Sequence, residues 1–144
     1  MLKTFKFSGE ESNFFFVADL HYRHNRDFIY TKRKNPLTNE FYKNVDDHDN
    51  GIINGWNSVC HNHSAVFHLG DIIFNDPQGD EFNNLLRRLN FQTLYLLWGN
   101  HTSGQRQNYL RTLKEQHPDA IVESGKHIEI IYEVYPLIQL VDNN

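Results

Sequence analysis

Three short segments concentrate residues able to do chemistry. Asp19-Leu20-His21 sets a carboxylate and an imidazole two residues apart, Gly70-Asp71 puts a second carboxylate behind a glycine, and Gly99-Asn100-His101 places an amide oxygen beside another imidazole. Carboxylate, amide and imidazole groups together suit divalent cations of hard to borderline character, and histidine is also the commonest acid–base side chain. Taken singly, each segment reads first as an ordinary turn: aspartate and glycine populate turns for conformational reasons alone. What sets the three apart is their common position, since each closes an apolar run.

Those runs are Phe14-Phe15-Phe16-Val17-Ala18-Asp19-Leu20, Ala65-Val66-Phe67-His68-Leu69-Gly70-Asp71 and Thr93-Leu94-Tyr95-Leu96-Leu97-Trp98-Gly99-Asn100. Short, aromatic and β-branched, they read as buried strands. A helix is predicted from near Asp46-Asp47, with Ile52, Ile53, Trp56 and Val59 on one face and with Gly51 and Gly55 weakening it. Gly79-Asp80 starts a second helix carrying Phe82, Leu85, Leu86 and Leu89. A third, marked by Tyr109, Leu110 and Leu113, closes near His117-Pro118. Two strands follow, His127 to Tyr135 and Leu137 to Val141, divided at Pro136. Strand and helix in alternation define an α/β domain with crossover connections, and in such sheets ligands bind at the carboxyl ends of the strands, where Asp19, Asp71 and Asn100 fall.

A chain of 144 residues accommodates one domain with its own core. Fourteen basic against eighteen acidic residues leave a net charge of -4, which excludes a global positive field for long nucleic acid or anionic membrane. The basic stretch Arg23, Arg26, Lys32, Arg33 and Lys34 reads as a solvated loop, with contact to a polyanionic substrate as the alternative. A single cysteine, Cys60, fits a reducing compartment, and no apolar stretch suits a signal peptide or membrane span; a cytoplasmic location without membrane partners is expected.

In order and residue type the three segments resemble the motifs of the calcineurin-like metallophosphoesterases: Asp-x-His, Gly-Asp and Gly-Asn-His, followed in that family by two further histidine-bearing motifs. The stretches Phe15 to Asn25, Ile52 to Asn57 and Val66 to Asp71 are similar to a small single-domain branch found in bacteria and phages, and the resemblance extends from residue 12 to residue 141. It implies an α/β fold with a layered metallophosphoesterase sheet flanked by helices, and hydrolysis of phosphomonoesters or phosphodiesters at a dinuclear metal site. Asp19 and His21 would ligate the first cation, Asp71 would bridge both, and Asn100 would ligate the second. His101 would serve as catalytic acid on the leaving oxygen, and His24 would either face the phosphate in substrate binding or lie on the surface. Manganese, iron, zinc or nickel suits such ligands, manganese first among them.

Thr102 stands where many relatives carry an acidic residue, and Phe74 where many carry an aspartate that orients the acidic histidine. The family completes its site with a histidine at a later strand end and a Gly-His-x-His segment, neither of which precedes Asn144. The expectation is therefore a single incomplete domain, residues 1–144, truncated at the C-terminal part or one piece of a split enzyme, with its second metal position incomplete. A complementary chain or a homodimer would be the partner, beside a phosphate-ester substrate or a nucleotide. The alternative is a degenerate, non-catalytic member acting as a binding module. His61, His63 and His68 are not expected to replace the missing ligands: the first two precede a strand and His68 lies within it, suited to packing or hydrogen bonding.

Overall fold

The apolar runs pair side by side in a mixed α/β structure. A computed structural model describes residues 2–7, 14–73, 80–97, 126–131 and 137–142. In chain order they form β1 (Leu2–Phe7), β2 (Phe14–Val17), α1 (Asp27–Tyr30), α2 (Val45–Val59), β3 (Ala65–His68), α3 (Asp80–Arg88), β4 (Thr93–Leu97), β5 (His127–Ile131) and β6 (Leu137–Asp142). Strands β2-β3-β4-β5 make a four-stranded sheet and β1-β6 a two-stranded one, with every pairing parallel.

Alternation along each strand decides what the sheet buries. Val66, His68, Leu94, Leu96 and Ile128 fall on one face by register, and Val66, Leu94, Leu96 and Ile128 form the core with Ile53 and Trp56 of α2 and Phe82, Leu85 and Leu86 of α3. Successive parallel crossovers of one hand place their helices on the same side, which agrees with both helices packing here. The other face is an aromatic ladder: Phe67 stacks on Phe16 at 5.2 Å and on Tyr95 at 4.5 Å, and Phe5 of β1 meets it edge-on at 5.1 Å. Strand β1 was not foreseen. Its six residues, Leu-Lys-Thr-Phe-Lys-Phe, carry no regular polar and apolar alternation, and its pairing partner, β6, lies at the far end of the sequence.

Helix α2 begins at Asn44, whose side chain accepts the Asp47 N–H at 2.8 Å, while Asp46 and Asp47 complement the positive end of the helix dipole. The buried face agrees with the one read in the sequence at Ile52, Ile53 and Trp56 and departs from it at Val59. Ile53 and Trp56 are inside, but Val59 is 52% exposed, and the inner stripe continues instead through Val45, His48 and Asp49. The helix is rotated toward its polar N-terminal half because His48 and Asp49 have partners beneath it. The predicted helix at Tyr109, Leu110 and Leu113 lies outside the described residues.

Gly51, unfavourable to this helix by propensity, is a packing requirement. A Cβ there would stand 2.7 Å from the Tyr42 hydroxyl and 2.8 Å from Cζ, and Tyr42 is itself buried with its ring edge-on to His48. Gly55 meets only Pro36 Cγ at 3.4 Å, an ordinary contact. Gly51→Ala should therefore destabilise by about 1–3 kcal/mol through overpacking, whereas Gly55→Ala should gain up to about 1 kcal/mol of helix propensity. Urea unfolding of both variants checks the contrast, and equal shifts of one sign would contradict the packing role of Gly51.

Candidate metal centre

Strands β2 and β3 stop, but their pairing does not. The Leu69 N–H donates to Val17 O at 2.7 Å, Asp19 N–H to Gly70 O, His21 N–H to Asp71 O and Tyr22 N–H to Ile72 O, the last three at 3.0 Å. Two irregular loops are thereby laid against each other. Within them Asp19, His21, Arg23 and Asp71 adopt left-handed backbone with φ of 57°, 51°, 57° and 57°, and Gly70 has φ 130°. A glycine is suited to position 70 because this region disfavours side chains. The non-glycine residues are held in a conformation that costs of order 1–3 kcal/mol each.

The outcome is convergence. Among the described residues, Asp19, His21 and Asp71 each bring one ligand atom into a group whose members all lie within 4.8 Å of one another. His21 Nε2 is 3.7 Å from Asp19 Oδ1, while its Nδ1 lies 3.1 Å from Nδ1 of His24. This pairing constrains the tautomers. For His21 to offer an Nε2 lone pair to a cation its proton must sit on Nδ1 and be donated to His24, which then carries its own proton on Nε2. Burial pushes the His21 imidazole below its usual range and the Arg33 charge adds to this, against the opposing pull of Asp71 and Asp19. A neutral ring is the ligating form.

His24 is not a surface side chain. It is 6% exposed, backs onto His21, and meets Phe28 edge-on at 5.7 Å. The donor set of two carboxylates and a supported neutral imidazole fits a divalent cation. Asn100 and His101 lie outside the described residues. His61 and His63 are exposed, as expected of residues at the far end of β3. A cavity of about 580 Å³ also borders Asp19, walled by Phe15, Val17, Arg33, Tyr42 and Trp56.

His68 is fully buried, in the packed and hydrogen-bonded role expected of it. Its Nδ1 accepts the Gly70 N–H at 3.2 Å, which fixes the proton on Nε2, and that atom has no partner among the described residues. A second polar group escaped the sequence reading altogether. Arg23 and Arg33, taken as part of a solvated basic loop, are turned inward: Arg23 pairs with Asp46 at 2.7 Å and Asp49 at 3.2 Å, and Arg33 donates to the carbonyls of Asp19 at 2.7 Å and Leu20 at 3.0 Å. The run Asp46-Asp47-His48-Asp49 holds more acid than a helix start needs, and that excess was the available signal.

The chain matches no established protein-family profile, and no solved structure matches it. It is 26% identical over 87 residues to the uncharacterized protein MJ1445 of Methanocaldococcus jannaschii, a match covering 60% of this chain and 45% of that protein. The matched part thus spans less than half the length of this relative.

Burial pushes the His68 imidazole down to about 3, with the His21 charge acting in the same direction. In the unfolded chain a histidine protonates near 6.5, so folding excludes a proton at acid pH. The contribution of neutral His68 is full above about pH 6.5 and is lost progressively as pH falls toward 3. His68→Asn keeps an acceptor for Gly70 but cannot titrate. Urea unfolding from pH 7 to pH 4 should show wild-type stability falling more steeply than that of the variant, by up to about 1.4 kcal/mol per pH unit. Parallel curves would show that His68 takes up protons in the folded state.

Proposed function

We propose that this chain is a calcineurin-like metallophosphoesterase that hydrolyses phosphate esters at a dinuclear metal centre. The observation carrying the proposal is the meeting of Asp19, His21 and Asp71 across two paired loops at strand ends, in the order and chemistry of the motifs the sequence resembles. Support also comes from the parallel α/β sheet, whose strand ends form the ligand-binding edge of such folds.

In this reading Asp19 and His21 would hold one cation, Asp71 would be shared, and Asn100 would serve the second position. His24 fixes the His21 ring by accepting a hydrogen bond from its Nδ1–H. Bound divalent cations supply charge neutralisation of the phosphoryl oxygens and water activation near neutral pH. As a water oxygen bonds to phosphorus the ester P–O bond breaks, and His101 gives its proton to the departing oxygen while the water proton leaves to solvent. Manganese is the first metal to test, ahead of iron, zinc and nickel.

The cavity beside Asp19 favours a second reading, a non-catalytic binding module of the same ancestry. Turnover separates the two. With manganese present, Asp71→Ala should abolish both metal retention, read by calorimetry, and phosphodiesterase turnover. His101→Ala should retain metal but lose about 10²–10⁴-fold in rate on an alkyl phosphate ester, and less on a nitrophenyl ester whose leaving group needs no proton. Metal binding without turnover on any phosphate ester would favour the binding module. Failure of the wild-type chain to bind divalent metal would overturn the metallophosphoesterase reading.

A further inference from the structure

A polar relay, buried at its helix end, runs from helix α2 to the backbone of the Asp19–His21 turn. Asp49 is 1% exposed and His48 is fully buried, and His48 Nδ1 lies 3.0 Å from Asp49 Oδ1. A carboxylate can only accept, so His48 donates from Nδ1 and keeps a lone pair on Nε2. That lone pair faces Arg33 Nη1 at 3.1 Å. The guanidinium then reaches the turn itself, with Nη1 on Leu20 O and Nη2 on Asp19 O. Asp49 takes up the far end of the same turn by accepting the Arg23 N–H at 3.2 Å on each of its oxygens. Three left-handed residues, Asp19, His21 and Arg23, lie between these anchors.

The geometry points to Arg33, seated by His48 and Asp49, as the positioning residue of the metal-binding turn. Alternating left-handed residues redirect successive carbonyls, and a turn of this kind relaxes unless those carbonyls and N–H groups are held. Arg33 holds two adjacent carbonyls with one planar, forked group, which a single ammonium cannot reproduce. Its guanidinium sits on main-chain oxygens of the turn, so it acts on a cation through the placement of the Asp19 and His21 side chains as well as through its charge, and Arg33→Lys, which keeps the charge, isolates the placement. This inference rests on the metal-centre reading proposed above.

The test is manganese affinity by calorimetry on the full chain, in wild type, Arg33→Lys, Arg33→Met, His48→Gln and the Arg33→Lys/His48→Gln double variant, with Asp71→Ala as the ligand control. Urea midpoints of the metal-free proteins are measured in parallel. Arg33→Lys is expected to weaken manganese binding by about 10–100-fold, as for other groups that orient ligands, and to do so beyond any change in metal-free stability. His48→Gln should weaken it less, and the double variant should be no worse than Arg33→Lys, because both substitutions interrupt one relay. Unchanged affinity in Arg33→Lys and Arg33→Met, with wild type binding and Asp71→Ala not binding, would overturn the positioning role while leaving the metal centre intact. Additive losses in the double variant would overturn the relay. If wild type binds no manganese, the metal-centre reading fails and the positioning role fails with it. Should Arg33→Met not fold, Arg33→Lys and His48→Gln carry the decision.

Discussion

The continuation of parallel pairing beyond β2 and β3 is the constraint on which the site depends. Inside a sheet, backbone groups pair automatically; in a loop they must find other partners or remain in water. Here the loops after two neighbouring strands use each other, from Val17–Leu69 through Tyr22–Ile72. A one-residue slip between β2 and β3 would exchange the faces of the sheet and separate Asp19 from Asp71. Register is set by the apolar core on one side and the aromatic ladder on the other, so the packing that stabilises the sheet also fixes the spacing of the candidate ligands.

Holding loops together is not the same as giving them a useful shape. The left-handed residues at 19, 21, 23 and 71 carry strain, and the surrounding structure meets it with main-chain partners drawn from distant sequence. His68 contributes from below by accepting the Gly70 N–H. Arg33, His48 and Asp49 contribute from the helix side. The cost is visible in α2, which turns polar residues toward the interior and leaves Val59 in solvent. Breaking one member of such a relay exposes the others to unpaired burial, which costs more than the lost bond alone.

The donors of this arrangement suit a divalent cation, and the chemistry proposed for it rests on the motifs the sequence resembles. The similar archaeal protein is uncharacterized, and the match reaches only 45% of it. Two carboxylates and an imidazole meet where two neighbouring strands end, the edge at which such sheets bind ligands. The second cation position and the acid would come from Asn100 and His101. No helix among the described residues is long and apolar enough to cross a membrane.

From sequence alone, the strands at Phe14, Ala65 and Thr93, the helices between them, and the placing of Asp19, His21 and Asp71 at strand ends were legible, because hydrophobic period and strand-terminal polarity are local properties. So was the inward, hydrogen-bonded place of His68 within its strand. The tertiary structure decided what depends on distant partners. Strand β1 is a strand because β6 pairs with it across the whole chain. The face of α2 turned inward because His48 and Asp49 meet Arg33 and Arg23 there. Arg33 read as a solvated cation because two of its three acceptors are main-chain carbonyls, which every residue possesses and no sequence pattern marks.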